Sequence, residues 1–134
     1  MSTPEIAVAR IYDSLGDASA DSHTVRVLVD RLWPRGVSRE QAAIDLWPKE
    51  VTPSNDLRKS WHADPQGHEP EHFEEFKASY REELQTDAAQ DALAELATAL
   101  REERSVLLLT AAKDPEVSHV PVIREALSDA LRTS

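Results

Sequence analysis

Residues 29–36 read VDRLWPRG, which sets Asp30, Arg31, Trp33, Arg35 and Gly36 on one short stretch. Two guanidinium groups beside a carboxylate have three possible uses. They can pair internally, hold an anionic ligand, or face a partner. Arginine's planar fork matches phosphate and carboxylate, and this favours a ligand site without naming the ligand. Gly36 permits a left-handed turn that would bring Arg35 back toward the strand before it. Further along, Arg58 and His62 are four residues apart and share one helix face, with Lys59 and Trp61 expected to point elsewhere. Histidine can move a proton near neutral pH. Asp30 and His62 are therefore the candidate acid–base groups.

A second cluster lies in TAAKDPEVSH, residues 110–119, with Lys113, Asp114, Ser118 and His119. Both clusters directly follow apolar runs that read as strands, Val25–Val29 and Val106–Ala111. Ligands of open α/β sheets bind beyond the carboxyl ends of strands. If the two strands are parallel, Asp30, Arg31, Arg35, Lys113, Asp114 and His119 meet at one edge. Ser118 and His119 would then open a helix, where free N–H groups favour an anion. The candidate ligand-binding set is Arg31, Trp33, Arg35, Lys49, Ser54, Arg58, Lys113, Ser118 and His119.

The elements that must position these groups are legible in outline. Glu5–Tyr12 reads as a strand, with Ile6 and Val8 on one face and Ala7, Ala9 and Ile11 on the other. DSLGDASADSH is a polar connection. Ser38 and Gln41 form a capping box for a helix over about 38–43. Pro48 makes IDLWPKEV an edge strand or an irregular crossing. Thr52 or Ser54 caps a helix through His62, with Pro53 in its first turn. A helix from Pro70 to about Leu84 buries Phe73, Phe76, Tyr80 and Leu84; one over 88–101 buries Ala89, Leu93, Leu96 and Leu100. SVLLLTA is apolar throughout, as in a strand covered on both faces of a parallel sheet. Ser118 caps a last helix with Val120, Ile123, Leu127 and Leu131 inward. The expected fold is α/β: one compact domain over 1–134, with a small, mostly parallel sheet flanked by helices and the strands 25–29 and 106–111 central.

The 134 residues carry a net charge of −10 and no cysteine. The charge argues against general nucleic-acid binding, and the missing cysteines remove thiol nucleophiles and disulfides. No segment reads as a membrane span or a signal peptide, so a cytoplasmic protein is expected. Residues 26–62 hold seven Lys/Arg against five Asp/Glu, and all three tryptophans, Trp33, Trp47 and Trp61. Basic and aromatic side chains are thus concentrated in one window of an acidic chain. Residues 69–103, with eleven acidic and three basic side chains, read as a solvated outer face. HEPEH at 68–72 matches the H-E-x-x-H zinc pattern, but Pro70 cannot sit inside a helix. His68 is expected outside the helix and His72 in its first turns. No metal or cofactor is expected.

The segments RIYD (10–13), VLVDRLWPRG (27–36), DLWPKEVTPSNDLRKSWH (45–62), FEEFKASYREEL (73–84) and LLLTAAKDPEVSHVPVIREAL (107–127) resemble the domain-of-unknown-function 488 family, in its YeaO-like branch. The resemblance covers most of the chain. It implies a compact α/β domain of bacterial or archaeal type, in which Asp30, Arg31, Trp33, Arg35, Gly36, Trp47, Lys49, Ser54, Arg58 and His62 cluster. It brings no activity with it. Other branches carry cysteines where this chain has Thr110 and Ser118, and the loop over 63–71 is longer than usual. Three functions follow as expectations: an enzyme acting on a small phosphorylated or nucleotide-like anion, a non-catalytic module that senses an anion or docks on a protein through its tryptophans, and, disfavoured by charge, a nucleic-acid binder.

Overall fold

The apolar run SVLLLT becomes the middle of a parallel sheet. In the computed structural model, which describes residues 6–13, 24–66, 69–102 and 105–132, three strands form one sheet. These are β1 (Ile6–Arg10), β2 (Thr24–Leu28) and β3 (Ser105–Thr110), in the order β1-β3-β2, all parallel. Val106 sits between Ile6 and Val25, and Leu108 between Val8 and Val27. A strand flanked on both sides and covered on both faces has no use for polar alternation.

The remaining elements are α1 (Arg39–Ala42), α2 (Asn55–Ala63), α3 (Pro70–Glu83), α4 (Asp87–Arg101) and α5 (Val120–Arg132). The inward stripes of α3, α4 and α5 pack on one sheet face. There Tyr80, Leu93, Leu96, Leu100, Ile123 and Leu127 meet Val25, Val27, Val106 and Leu108. The opposite face is closed by Ile11, Val37 and Ala42 around Leu109, with Trp33 packed against them. The alternation expected for β1 holds, with Ile6 and Val8 toward the helices and Ala9 and Ile11 toward the second cluster. No helix among the described residues is long and apolar enough to cross a membrane.

Four details differ from expectation. β2 is not central, because β3 alone pairs with it in the sheet. Its outer edge is nonetheless not open. Leu28 N–H donates to the Leu46 carbonyl (3.0 Å), and Asp45 and Leu46 N–H donate to the Arg26 carbonyl (2.9 and 3.1 Å). Pro48, which lacks an N–H, stops this crossing at a single bridge. β1 ends at Arg10, and Ile11–Asp13 tighten into a 3-10 turn. Pro53 precedes the Ser54 cap of α2 instead of entering its first turn. Ser118 stands one residue before the cap position of α5, which His119 fills by offering its carbonyl to Val122 and Ile123 N–H. Pro70 occupies the first turn of α3 and places His72 just inside that helix. His68 and the connection over 14–23 lie outside the described residues.

Candidate functional site at the strand carboxyl ends

Parallel strands deliver their carboxyl ends to one side of the sheet. β1 leads to Tyr12, β2 to residues 30–35 and β3 to residues 110–119. With Pro53, α2 and Phe76, these segments line a cavity of about 570 Å³.

The turn after β2 is held open by its own indoles. Gly36 takes φ 77°, and Val37 N–H closes the turn on the Pro34 carbonyl at 3.4 Å. Trp33 Nε1 donates to the Val37 carbonyl (2.6 Å), and Trp47 Nε1 donates to the Asp30 carbonyl (2.7 Å). The two rings meet edge to face at 5.4 Å. Arg39 lies over Trp33 at 5.1 Å and Lys49 over Trp47 at 4.3 Å. The Tyr12 hydroxyl donates to the Arg35 carbonyl at 3.0 Å. Trp33 and Trp47 therefore brace the turn, and Trp61 stacks on Phe76 of α3 at 4.5 Å.

Asp30 is the hub of the cavity floor. Its carboxylate accepts from Thr110 Oγ1 and Ala111 N–H, both at 2.7 Å, and meets His119 Nε2 at 3.2 Å. Burial acts to raise its pKa. The His119 hydrogen bond and charge, with the bonds from Ala111 and Thr110, overcome burial and hold the carboxyl below its ordinary value of 3.8. His119 Nε2 also lies 2.8 Å from the Val29 carbonyl, so that nitrogen carries the proton. Thr110 Oγ1 further accepts from Ala112 N–H (3.1 Å). Ser118 Oγ donates to the Pro115 carbonyl (2.6 Å) and accepts from Val120 N–H (3.2 Å). The hydroxyl and carboxylate groups of the floor are thus bonded to one another or to backbone.

The cationic groups lack carboxylate partners, although the Arg31 guanidinium is held by the Pro53 and Lys49 backbone carbonyls. Among the described residues, no ion pair involves Arg31, Arg35, Arg58 or Lys113. Arg31 Nε donates to the Pro53 carbonyl at 2.8 Å. Arg58 Nε is shut away from solvent and has no hydrogen-bond partner. The lining holds those four cations against two carboxylates, Asp30 and Asp114. The cavity wall is therefore net positive in a chain of net charge −10.

Of the expected site residues, the cavity gathers Asp30, Arg31, Trp33, Arg35, Arg58, His62, Lys113, Ser118 and His119. It does not include Lys49 or Ser54. Lys49 faces Trp47. Ser54 caps α2 by accepting from Leu57 N–H (3.1 Å), while its own N–H and Oγ donate to the Glu83 carboxylate (2.8 and 2.6 Å). Trp61, expected to point elsewhere, lines the cavity beside Arg58 and His62. Phe76, Tyr12, Leu32 and Thr110 also line it. Thr110 was discoverable as the first polar residue after an apolar strand, and Trp61 as the i+3 neighbour of Arg58. Phe76 carries no such signal, because its spacing marks it as core. A shallower hollow of about 290 Å³, between α3, α4 and α5, contains none of the expected residues.

An uncharacterised protein of Mycobacterium tuberculosis (strain H37Rv) is 37% identical over 123 residues, covering 92% of this chain and 93% of the relative. The uncharacterised protein YeaO of Escherichia coli (strain K12) is 35% identical over 123 residues, covering 91% and 96%. No solved structure gives a significant match. A family model described as "Inactive DUF488-N3 subclade" matches residues 5–134. The single α/β domain with its motif-lined cavity thus belongs to the DUF488 family, in its YeaO-like branch.

Proposed function

We propose that this protein is a non-catalytic receptor for a small anion, a phosphate or carboxylate, held in the cavity at the strand carboxyl ends. The observation that carries the reading is the excess of cations over carboxylates in the cavity lining, with none of Arg31, Arg35, Arg58 and Lys113 ion-paired among the described residues. A buried N–H without a partner costs about 1–3 kcal/mol, and such groups are rare in folded proteins. Arg58 Nε is in that position, on a wall where cations outnumber carboxylates. An anion among these side chains would offset the repulsion between Arg31, Arg35, Arg58 and Lys113.

The catalytic alternative has less support. Asp30 accepts from three donors and has a lowered pKa, which makes it a weak base. The hydroxyls of Thr110 and Ser118 are both committed to internal acceptors. The family description as inactive agrees with a binding role.

Thermal melts of the parent, Arg35→Ala and Arg58→Met, with and without phosphate, sulfate or acetate, test the proposal. The parent should gain about 2.7 kcal/mol when an anion is present at 100 times its Kd. Both variants should lose most of that gain. Arg58→Met should melt no lower than the parent without anion, because the change removes a buried unsatisfied donor. A parent that gains nothing from any anion, or an Arg58→Met that keeps the full gain, overturns the reading.

A further inference from the structure

We infer that the ligand is an anion carried on a flat apolar body, an aryl phosphate or aryl carboxylate in chemical class, and not a bare inorganic ion. The inference rests on the anion-binding reading above and adds the part of the ligand that the cations do not address.

Volume is the first observation. The cavity measures about 570 Å³, well inside the range of roughly 300–1,000 Å³ typical of sites for organic ligands. A water molecule takes about 30 Å³ of liquid, and a phosphate displaces only a few. A bare ion at Arg58 would leave most of the space as water lying against Leu32, Trp33, Trp61, Phe76 and Val117. Keeping apolar walls hydrated is unfavourable. A ligand that fills the space with apolar atoms removes that cost.

Shape is the second. Arg58 and Trp61 are three residues apart on α2, so the guanidinium and the indole lie on neighbouring positions of one helix face. The Trp61 ring is fixed from behind by Phe76 at 4.5 Å with 24° between planes, and flanked by Phe73 at 5.6 Å. Trp33 is fixed by its bond to the Val37 carbonyl and by the edge of Trp47. Both indoles border the cavity and are only half buried. Rigid aromatic surfaces need little ordering on binding and favour a planar guest in stacked or edge contact. Leu32, 56% exposed, stands at the same wall and would be covered by such a body.

Titration calorimetry with two matched pairs decides the matter: phenyl phosphate against inorganic phosphate, and benzoate against acetate, with phenol as the uncharged control. Burying roughly 100 Å² of ring is worth on the order of 50-fold in Kd. At least one aryl anion should therefore bind about 50-fold tighter than its small partner, and phenol should bind far more weakly than either aryl anion. Trp61→Leu should bring the aryl-to-small-anion affinity ratio down to within a few-fold, and a far-ultraviolet circular dichroism spectrum matching the parent's shows that the variant is folded. Leu32→Gln, at the exposed rim, should reduce the advantage by a smaller factor. If small and aryl anions bind within about threefold of each other, the flat-body inference fails while the anion site stands. If phenol matches phenyl phosphate, the cavity is an apolar site and the role of the cations is wrong. If no anion of either kind binds, both readings fall together.

Discussion

Replacing Asp30 with asparagine should damage folding more than any chemistry. The side chain keeps its shape but turns one acceptor oxygen into an NH₂ group. In the parent, one carboxylate oxygen receives Thr110 Oγ1 and the other receives Ala111 N–H, both at 2.7 Å, with His119 Nε2 at 3.2 Å. An amide can satisfy only one of these sides and must present a donor to the other. The Asp30 side chain is only 17% exposed, so solvent offers little substitute. An unsatisfied buried donor costs about 1–3 kcal/mol, and bonds to a charged acceptor are stronger than neutral ones. Asp30→Asn should thus lose about 2–4 kcal/mol, a large share of the roughly 5–15 kcal/mol that holds a domain folded. The pH dependence supplies a second reading. A folded-state pKa below the unfolded value means that ionisation favours folding. This contribution is complete above the ordinary value of 3.8 and disappears as pH falls through the lowered folded-state value. Guanidinium unfolding followed by circular dichroism at neutral pH, and again in steps below about pH 4, measures both effects. The gap between parent and Asp30→Asn should narrow as the pH falls. A loss under about 0.5 kcal/mol with no change across pH would show that Asp30 is a free carboxylate, and would restore it as a candidate base.

The other expectations follow from the supports of α2. Glu83→Gln should cost about 1–2 kcal/mol, because the Glu83 carboxylate receives both Ser54 N–H and Ser54 Oγ; chemical denaturation would read this, and anion affinity should weaken through the looser seat of Arg58. Tyr80→Phe should cost a similar amount by depriving the Val51 carbonyl of its buried donor, measured in the same way. His72 Nδ1 meets Asp64 at 2.6 Å. The hydrogen bond to Asp64 raises the His72 pKa above 6.5, and the reciprocal bond lowers that of Asp64 below 3.8. The His72 contribution is full below 6.5 and is lost as pH rises through its raised value; the Asp64 contribution is lost as pH falls through its lowered one. The melting temperature of His72→Ala should therefore fall furthest below the parent at mildly acidic pH and converge with it at both extremes, whereas a pH-independent difference would refute the pairing.

Elements governed by local pattern were readable from the sequence. Continuous apolarity gave β3, the Phe76–Tyr80–Leu84 spacing gave α3, and Ser38 with Gln41 gave the capping box of α1. Gly36 announced its positive φ because a tight turn after a strand needs one. What sequence could not supply was long-range. The cover of β2 by Leu46 is a tertiary contact between segments with no shared periodicity. Ser54 was legible as a cap but not as a partner of Glu83, 29 residues away. Its type and position near Arg58 made it look like a ligand group, and capping had already claimed it. The charge of Lys49 suggested the cavity, whereas its ammonium lies over the Trp47 ring, a contact between neighbours in sequence that charge alone does not announce. Strand-end geometry, by contrast, was inferable, since parallel strands must bring Asp30 and His119 to the same edge.

The most direct test of the anion site is to locate an anion. Crystals of the parent and of Arg58→Met, soaked in selenate, would mark bound anions by the anomalous signal of selenium. The parent should show a peak inside the cavity, within hydrogen-bond reach of the Arg58 guanidinium and at least one of Arg35 and Lys113, and Arg58→Met should lack it. Peaks confined to the outer surface of the parent, or a cavity peak that survives unchanged in Arg58→Met, would contradict the account.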